Sequence, residues 1–350
     1  MIKKYYSKEG SSLFPYLSIK SNKMNQSNAS LFTYSREAIY QMMKINHISQ
    51  EDTILMPSYQ CNIVIDYILP FTQKIVFYNI DKNLNFNKNE IESKITEHTK
   101  MIFFVHYFGI ITDIEYSLID ILKEKNIKIV HDLAHSFLSL YQRNFLLDTY
   151  SDYIISSIYK NIPIGTGAIG IGDFQQNNSM NTKEFFVINL KKILTNFRCF
   201  IGKRTFTYYS LHDKSSTQEN VVYYKSNFSF TAILYKKLLE HINIDKIIED
   251  KKLISQKYFT LFENNQDFSN IIDKDVLKNN ILQAYPIKCE NKENREKLFD
   301  FLKEDCIDIY PWPSYHPLNN FDTLKDKILL LPLDEYSLTK SKYFLKDNYE

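Results

Sequence analysis

Cysteine is sparse in this 350-residue chain: there are four, Cys61, Cys199, Cys289 and Cys306, too far apart for any CxxC pair. Their spacing gives no support to a zinc site or a disulfide framework and points to a reducing compartment. Neither sign of charge is in excess, with 43 Lys and Arg against 41 Asp and Glu and a net charge of +2. No overall basic field therefore argues for nucleic acid or an anionic membrane as partner. No apolar run approaches the ~18 residues of a membrane span. The basic opening Met1-Ile2-Lys3-Lys4-Tyr5 runs into Ser7-Lys8-Glu9-Gly10 rather than an apolar stretch. That is not a signal-peptide pattern, and a cytoplasmic protein is expected. Internal repeats are also lacking.

What is present is an ordinary globular composition, 44% hydrophobic and 24% charged. The length suits two domains with one sizeable core. The 26 Tyr and 25 Phe are spread along the chain beside abundant Ile, Asn and Lys, which reads as compositional bias rather than as a stacking platform.

From residue 53 a β-then-α rhythm sets in. Strands are expected at Thr53–Met56, Lys74–Tyr78, Met101–His106 and Ile127–His131. Helices are expected through Leu69, over Glu90–Ile95 and over Ile114–Lys125. Short apolar runs alternating with such helices imply crossovers and a mostly parallel sheet, with ligands beyond the carboxyl ends of its strands. Three of those ends are polar: Pro57-Ser58-Tyr59, His106-Tyr107-Phe108-Gly109, and His131-Asp132-Leu133-Ala134-His135. Alone, Asp132 reads as a helix cap and His135 as a satisfied histidine; together at successive strand ends they form a candidate site. Upstream, Ser35 suits the N-cap of a helix carrying Ala38, Ile39, Met42 and Met43, whose N-terminus would attract a phosphate.

The most informative stretch is Ser156-Ser157-Ile158-Tyr159-Lys160-Asn161-Ile162-Pro163, running into Gly165-Thr166-Gly167 between the apolar runs Tyr153–Ile155 and Ala168–Ile171. Most other lysines solvate polar, helix-like faces, whereas Lys160 sits on a loop between two buried strands. That makes it the candidate to hold pyridoxal phosphate as a Schiff base.

In order and spacing, Pro57-Ser58-Tyr59, Asn79-Ile80-Asp81, Val105–Gly109, Asp132–His135 and the Ser157/Lys160 loop resemble the DegT-type sugar aminotransferases. That family is a branch of the fold type I pyridoxal-phosphate enzymes. Tyr310–Pro313 and Leu331–Asp334 resemble it more loosely. The resemblance implies an α/β fold with a large domain, a mostly parallel sheet flanked by helices, followed by a smaller C-terminal α+β domain. We divide these as residues 1–235 and 236–350. It implies pyridoxal 5′-phosphate as cofactor, with Lys160 carrying it and moving protons, Asp132 pairing with the pyridine nitrogen and His135 near the phenolic oxygen. Ser157, Ser35 and the backbone at Arg36 and Glu37 would hold the phosphate. Where the family usually stacks an aromatic residue on the ring this chain has Cys61, so Tyr59 or His106 is expected to cover that face.

The resemblance further implies a nucleotide-linked keto sugar as substrate, glutamate as amino donor, and a homodimer; on its polarity and position alone, segment 205–227 is the candidate to reach across. Lys183, Lys191, Lys192, Arg198, Lys203 and Arg204 would meet a diphosphate, and Phe200, Phe206 and Tyr208 a base. The family's Asn-x-Arg segment is not recognisable, with Asn227-Phe228-Ser229-Phe230 in its place. The count of 7 glycines and the thinned loop keep two alternatives open: a non-sugar substrate, and a non-catalytic paralogue of the fold.

Overall fold

The computed structural model describes residues 29–144, 150–174, 229–305 and 327–349, with isolated positions between 183 and 190 and at 307 and 309. Its larger sheet has seven strands: β1 (Ala29–Phe32), β2 (Thr53–Pro57), β3 (Ile75–Tyr78), β4 (Thr99–Val105), β5 (Lys128–Asp132), β6 (Tyr153–Ser157) and β7 (Ala168–Gly172). Their spatial order is β1-β7-β6-β5-β4-β2-β3. Strands β2 to β6 pair in parallel, while β7 runs antiparallel between β6 and β1. All strands but β7 therefore point the same way, and their carboxyl ends form one edge.

Helices α1 (Ser35–Ile45), α2 (Asn62–Ile68), α3 (Lys88–Lys94), α4 (Tyr116–Glu124) and α5 (Phe137–Gln142) link or follow these strands. The central strands are apolar on both faces, as a doubly covered sheet requires. On β4 and β5, Met101, Phe103 and Val130 pack against α1 and α2, whereas Ile102, Phe104 and Ile129 face the other layer. After α6 (Ser229–Glu240) and α7 (Ile244–Phe262) comes a three-stranded antiparallel sheet. It orders β10 (Ile328–Leu331), β9 (Tyr285–Cys289) and β8 (Phe268–Asn270), with α8 (Lys274–Asn279), α9 (Lys292–Glu304) and α10 (Glu335–Tyr349) around it. One apolar cluster joins the two units, from Leu55 and Phe104 to Tyr258, Leu298 and Leu330.

The expected α/β class and its small C-terminal companion are both present. The expected N-cap is shifted: Tyr34 caps α1 and Ser35 is its first helical residue. Asn280–Ile287 is strand-like in sequence, but the strand begins only at Tyr285, because 280–283 docks on the turn after β4. There Gln283 N–H donates to the Phe108 carbonyl (2.8 Å) and Asn280 Oδ1 accepts from Ile111 N–H (3.0 Å). Gly109, at φ +106°, makes the approach feasible, since a Cβ there would fall 2.2 Å from the Ile281 carbonyl oxygen. Ile307 and Ile309 are buried outside any strand. The 205–227 segment, the cationic and aromatic residues from Lys191 to Tyr208, and Tyr310–Pro313 lie outside the described residues; Lys183 is helical.

Candidate active site

The loop between β6 and β7 is a built platform. Ile158, Ile162 and Ile164 are buried. Asn161 N–H and Ile162 N–H both donate to the Ile158 carbonyl (2.9 Å each), closing a turn around Lys160. Ile158 N–H reaches the Gly167 carbonyl at 2.9 Å, sealing the base of the loop. Gly167 has φ +124°, and a Cβ there would come 1.8 Å from the Tyr235 hydroxyl, so α6 buttresses the loop from behind. The apolar residues hold the turn down while Tyr159 and Lys160, both partly exposed, line a cleft.

That cleft, open to solvent, lies at the carboxyl ends of β4, β5 and β6 and the N-terminus of α1, with about 540 Å³ of space counting the open solvent in its mouth. Lys160, Asp132, His135, Ser157, Ser35, Arg36, Cys61 and His106 all line it. Two expected members do not. Tyr59 is fully buried against Tyr107 and Phe108, with ring centroids 5.3 and 6.3 Å away, so no face is left for a ligand. Glu37 spends the backbone N–H expected to meet a phosphate on the Tyr34 carbonyl (3.1 Å), and its carboxylate accepts from Thr33 N–H (3.1 Å).

At one end of the cleft the Ser35 and Ser157 hydroxyls hydrogen-bond each other. They sit at the first residue of an 11-residue helix, where backbone N–H groups and the helix dipole favour an anion. The Arg36 guanidinium lies 4.2 Å from the Tyr34 ring centroid, and Tyr34 in turn meets Tyr159 edge to face at 5.8 Å. This end carries two hydroxyls and a cation held by aromatic faces.

At the other end stands Asp132, 4% exposed. Its Oδ1 accepts from Ala134 N–H (2.9 Å). Burial pushes this carboxyl up, and the Ala134 amide, the Lys160 charge and the Gln60 side chain pull it back down. His135 is buried and stacks on Phe108, centroids 5.8 Å apart and planes within 13°.

His106 presents a ring but no proton. Thr112 N–H donates to its Nδ1 (3.1 Å), which places the ring proton on Nε2, and that N–H donates to His131 Nδ1 (2.9 Å). The two rings lie within 7° of parallel. Burial holds His106 well below the ordinary histidine range and brings His131 down to about 4, so both are neutral. Behind them lies a second cavity of about 490 Å³ lined by His131, Arg143 and Tyr150.

Sequence reasoning overlooked Gln60, Tyr34 and Tyr159. Gln60 stands between two residues that drew attention for their possible rings, and nothing in its spacing marks it. The aromatics flanking Ser35 and Lys160 were visible as neighbours of motif residues, but not as partners of each other.

The family model for the DegT/DnrJ/EryC1/StrS aminotransferase family matches residues 27–331. The chain belongs to this family. A 125-residue stretch, 35% of the chain, is 28% identical to 34% of the GDP-perosamine synthase of Escherichia coli O157:H7. The matched stretches span about a third of the length of the curated relatives. Among solved structures, Helicobacter pylori PseC, an aminotransferase involved in the biosynthesis of pseudoaminic acid, superposes with a TM-score of 0.62 at 15% identity, over 99% of this chain and 98% of that one. NtdA from Bacillus subtilis, solved with bound cofactor PMP, gives 0.62 at 16% identity over 91% and 72%. At such identities these likenesses establish the fold. Family membership brings the cofactor class with it, pyridoxal phosphate.

The residues in the cleft fit that cofactor. Its phosphate matches the hydroxyl pair at the α1 N-terminus, and a ring nitrogen matches the buried Asp132 carboxylate. An aldehyde carbon matches the Lys160 amine in the same cleft. Ile39, Ile63, Val64 and Val105 supply apolar walls for a ring.

Proposed function

We propose that this chain is a catalytically active pyridoxal-phosphate-dependent aminotransferase acting on a nucleotide-linked keto sugar, with glutamate as amino donor. The observation that carries the reading is the convergence of Lys160, Asp132 and the Ser35/Ser157 pair in one cleft. A non-catalytic paralogue would have no use for a lysine amine facing a buried carboxylate. Two carboxyl ends and one loop had to meet to put them together.

Bound pyridoxal phosphate supplies an electron sink for the carbon that bears the amine. The chain's own residues do the rest. Asp132, whose carboxyl burial pushes up and the Ala134 amide and the Lys160 charge draw back down, would hold a proton at the ring nitrogen. The Lys160 amine, mounted on the closed 158–167 turn, takes and returns the proton at the reacting carbon. Ser35 and Ser157 fix the phosphate end, with Arg36 beside them as a further cation. Because both nitrogens of His106 are engaged, it acts through its ring face and moves no proton. His106 is the covering group in place of the aromatic that Cys61 replaces; Cys61 caps α2 and leaves that wall of the cleft thin.

The sugar rests on family membership and on the perosamine synthase relative. With it we infer a homodimer, a cytoplasmic location and a division into residues 1–235 and 236–350, a boundary that falls within α6. No helix among the described residues is long and apolar enough to cross a membrane. The test is a panel of nucleotide-linked 3- and 4-keto sugars. Glutamate should convert the cofactor to its amine form, and one class of keto sugar should convert it back, both followed by absorbance. Conversion by glutamate that no keto sugar reverses would retain the aminotransferase and remove the sugar.

A further inference from the structure

Gln60 stands at the cleft wall with its orientation already decided. It follows β2, where the chain turns into α2, and is 1% exposed. Its Oε1 accepts the backbone N–H of Cys61 at 2.8 Å, which settles which end of the amide faces where. The opposite end, Nε2, is buried with no partner at full hydrogen-bonding distance, although it lies close enough to the Asp132 carboxylate to help draw that group's pKa down. An orphaned buried N–H is costly, so such a donor is retained where a partner completes it. Gln60 and Asp132 line the same cleft. The Asp132 carboxylate has one oxygen on the Ala134 amide and accepts from no other backbone group there.

We propose that Gln60 is a positioning residue that holds Asp132 ionised and aimed at the cofactor's ring nitrogen, its Nε2–H closing on the carboxylate when the cofactor binds. The inference rests on the proposed cofactor site and deepens it. Ala134 and Gln60 then grip the carboxylate from two sides, leaving the remaining lone pair for the pyridinium. A carboxylate with only the Ala134 bond could rotate, or take up a proton and lose its charge. The Cys61 bond keeps the amide from turning away, so the donor is paid for in the empty cleft and used in the filled one. Apolar substitution at 60 would then relieve the unloaded protein while weakening the loaded one, a pattern that a packing role does not produce.

The decisive variant is Gln60→Glu. It keeps the shape and the acceptor for Cys61 N–H, but its ionised form cannot donate and repels Asp132; its protonated form can donate. Wild-type and variant proteins are titrated with pyridoxal phosphate from about pH 5.5 to about pH 8.5, spanning the range over which a carboxyl raised by burial loses its proton. Relative to wild type, Gln60→Glu should bind at least about tenfold more weakly at the alkaline end and recover toward wild type at the acid end. Gln60→Met, with similar volume and no donor at any pH, should lose about tenfold throughout without acid recovery. Its cofactor-free melting temperature should be unchanged or higher. If Gln60→Glu fails to fold, the Gln60→Met pair of readouts carries the test. Wild-type affinity in Gln60→Met, or a loss in Gln60→Glu that is the same at every pH, overturns the inference and leaves the cofactor site standing. Wild-type protein that does not bind pyridoxal phosphate overturns both.

Discussion

Among the described residues two carboxylates, Asp132 and Asp334, are pushed up by burial, and they differ in what surrounds them. Asp334, just ahead of α10, is saturated: its Oδ1 accepts from Ser337 N–H and its Oδ2 from the Ser337 hydroxyl, both at 2.8 Å. Burial carries it up to about 7. Asp132 is held by one backbone amide, with the Gln60 amide nearby, and otherwise looks into a cleft shared with a lysine. A carboxylate whose acceptor positions are filled by its own helix is a cap. One kept buried with capacity to spare is waiting for a partner, because an unpaired buried charge is too costly to keep for nothing. The comparison also separates two lysines. Lys251 spends its amine on the Gln283 carbonyl (2.9 Å), and burial brings it down to about 8; Lys160 stands on a dedicated loop at the cleft.

The sharpest break between the two regions is expected at Asp132. Asp132→Asn keeps the shape and removes the charge, so the protein should fold and bind cofactor while turnover falls by about 10²–10⁴-fold. Full activity in this variant would make Asp132 a cap like Asp334. At the phosphate end, Ser35→Ala and Ser157→Ala should each lower cofactor affinity by about tenfold, read by titration with pyridoxal phosphate. Unchanged affinity in both would move the phosphate elsewhere.

The smallest effect is expected in the other region. Asp334→Asn should leave turnover intact and cost ~1 kcal/mol of stability through a weakened helix cap. Its pH dependence has a definite sign. The native carboxyl titrates near 7 and the unfolded one near 3.8, so between these values the native state binds more protons. The contribution of Asp334 to stability therefore falls as pH rises from about 4 to about 7. Denaturant midpoints across that window should drop more steeply for wild type than for Asp334→Asn. Parallel slopes would mean that Asp334 is not titrating there.

How far the sequence reveals such differences depends on whether they are local. The strands of the large sheet were legible because each is a short apolar run ended by a polar residue, as at Val130-His131-Asp132. Lys160 was legible because a lysine between two buried strands has few structural uses. Strand β1 was missed: Ala29–Phe32 is an edge strand whose identity comes from pairing with β7, some 140 residues away. Segment 280–284 is strand-like in sequence, but its apolar residues serve a docking contact instead, against Phe108 and Gly109. Within the site, residue type pointed to Asp132, Ser157 and His106. What it hid was direction: Tyr59 turns into the core, Glu37 turns back to Thr33, and the Gln60 amide turns toward the cleft.

One measurement bears most directly on the central claim, that the cleft around Lys160 holds pyridoxal phosphate on that lysine. Wild-type protein loaded with the cofactor is reduced with borohydride, digested and mapped by mass spectrometry. The account predicts the added cofactor mass on the peptide containing Lys160, and no stable label in Lys160→Ala. A label on another lysine, or none in protein that is folded and saturated with cofactor, would contradict it.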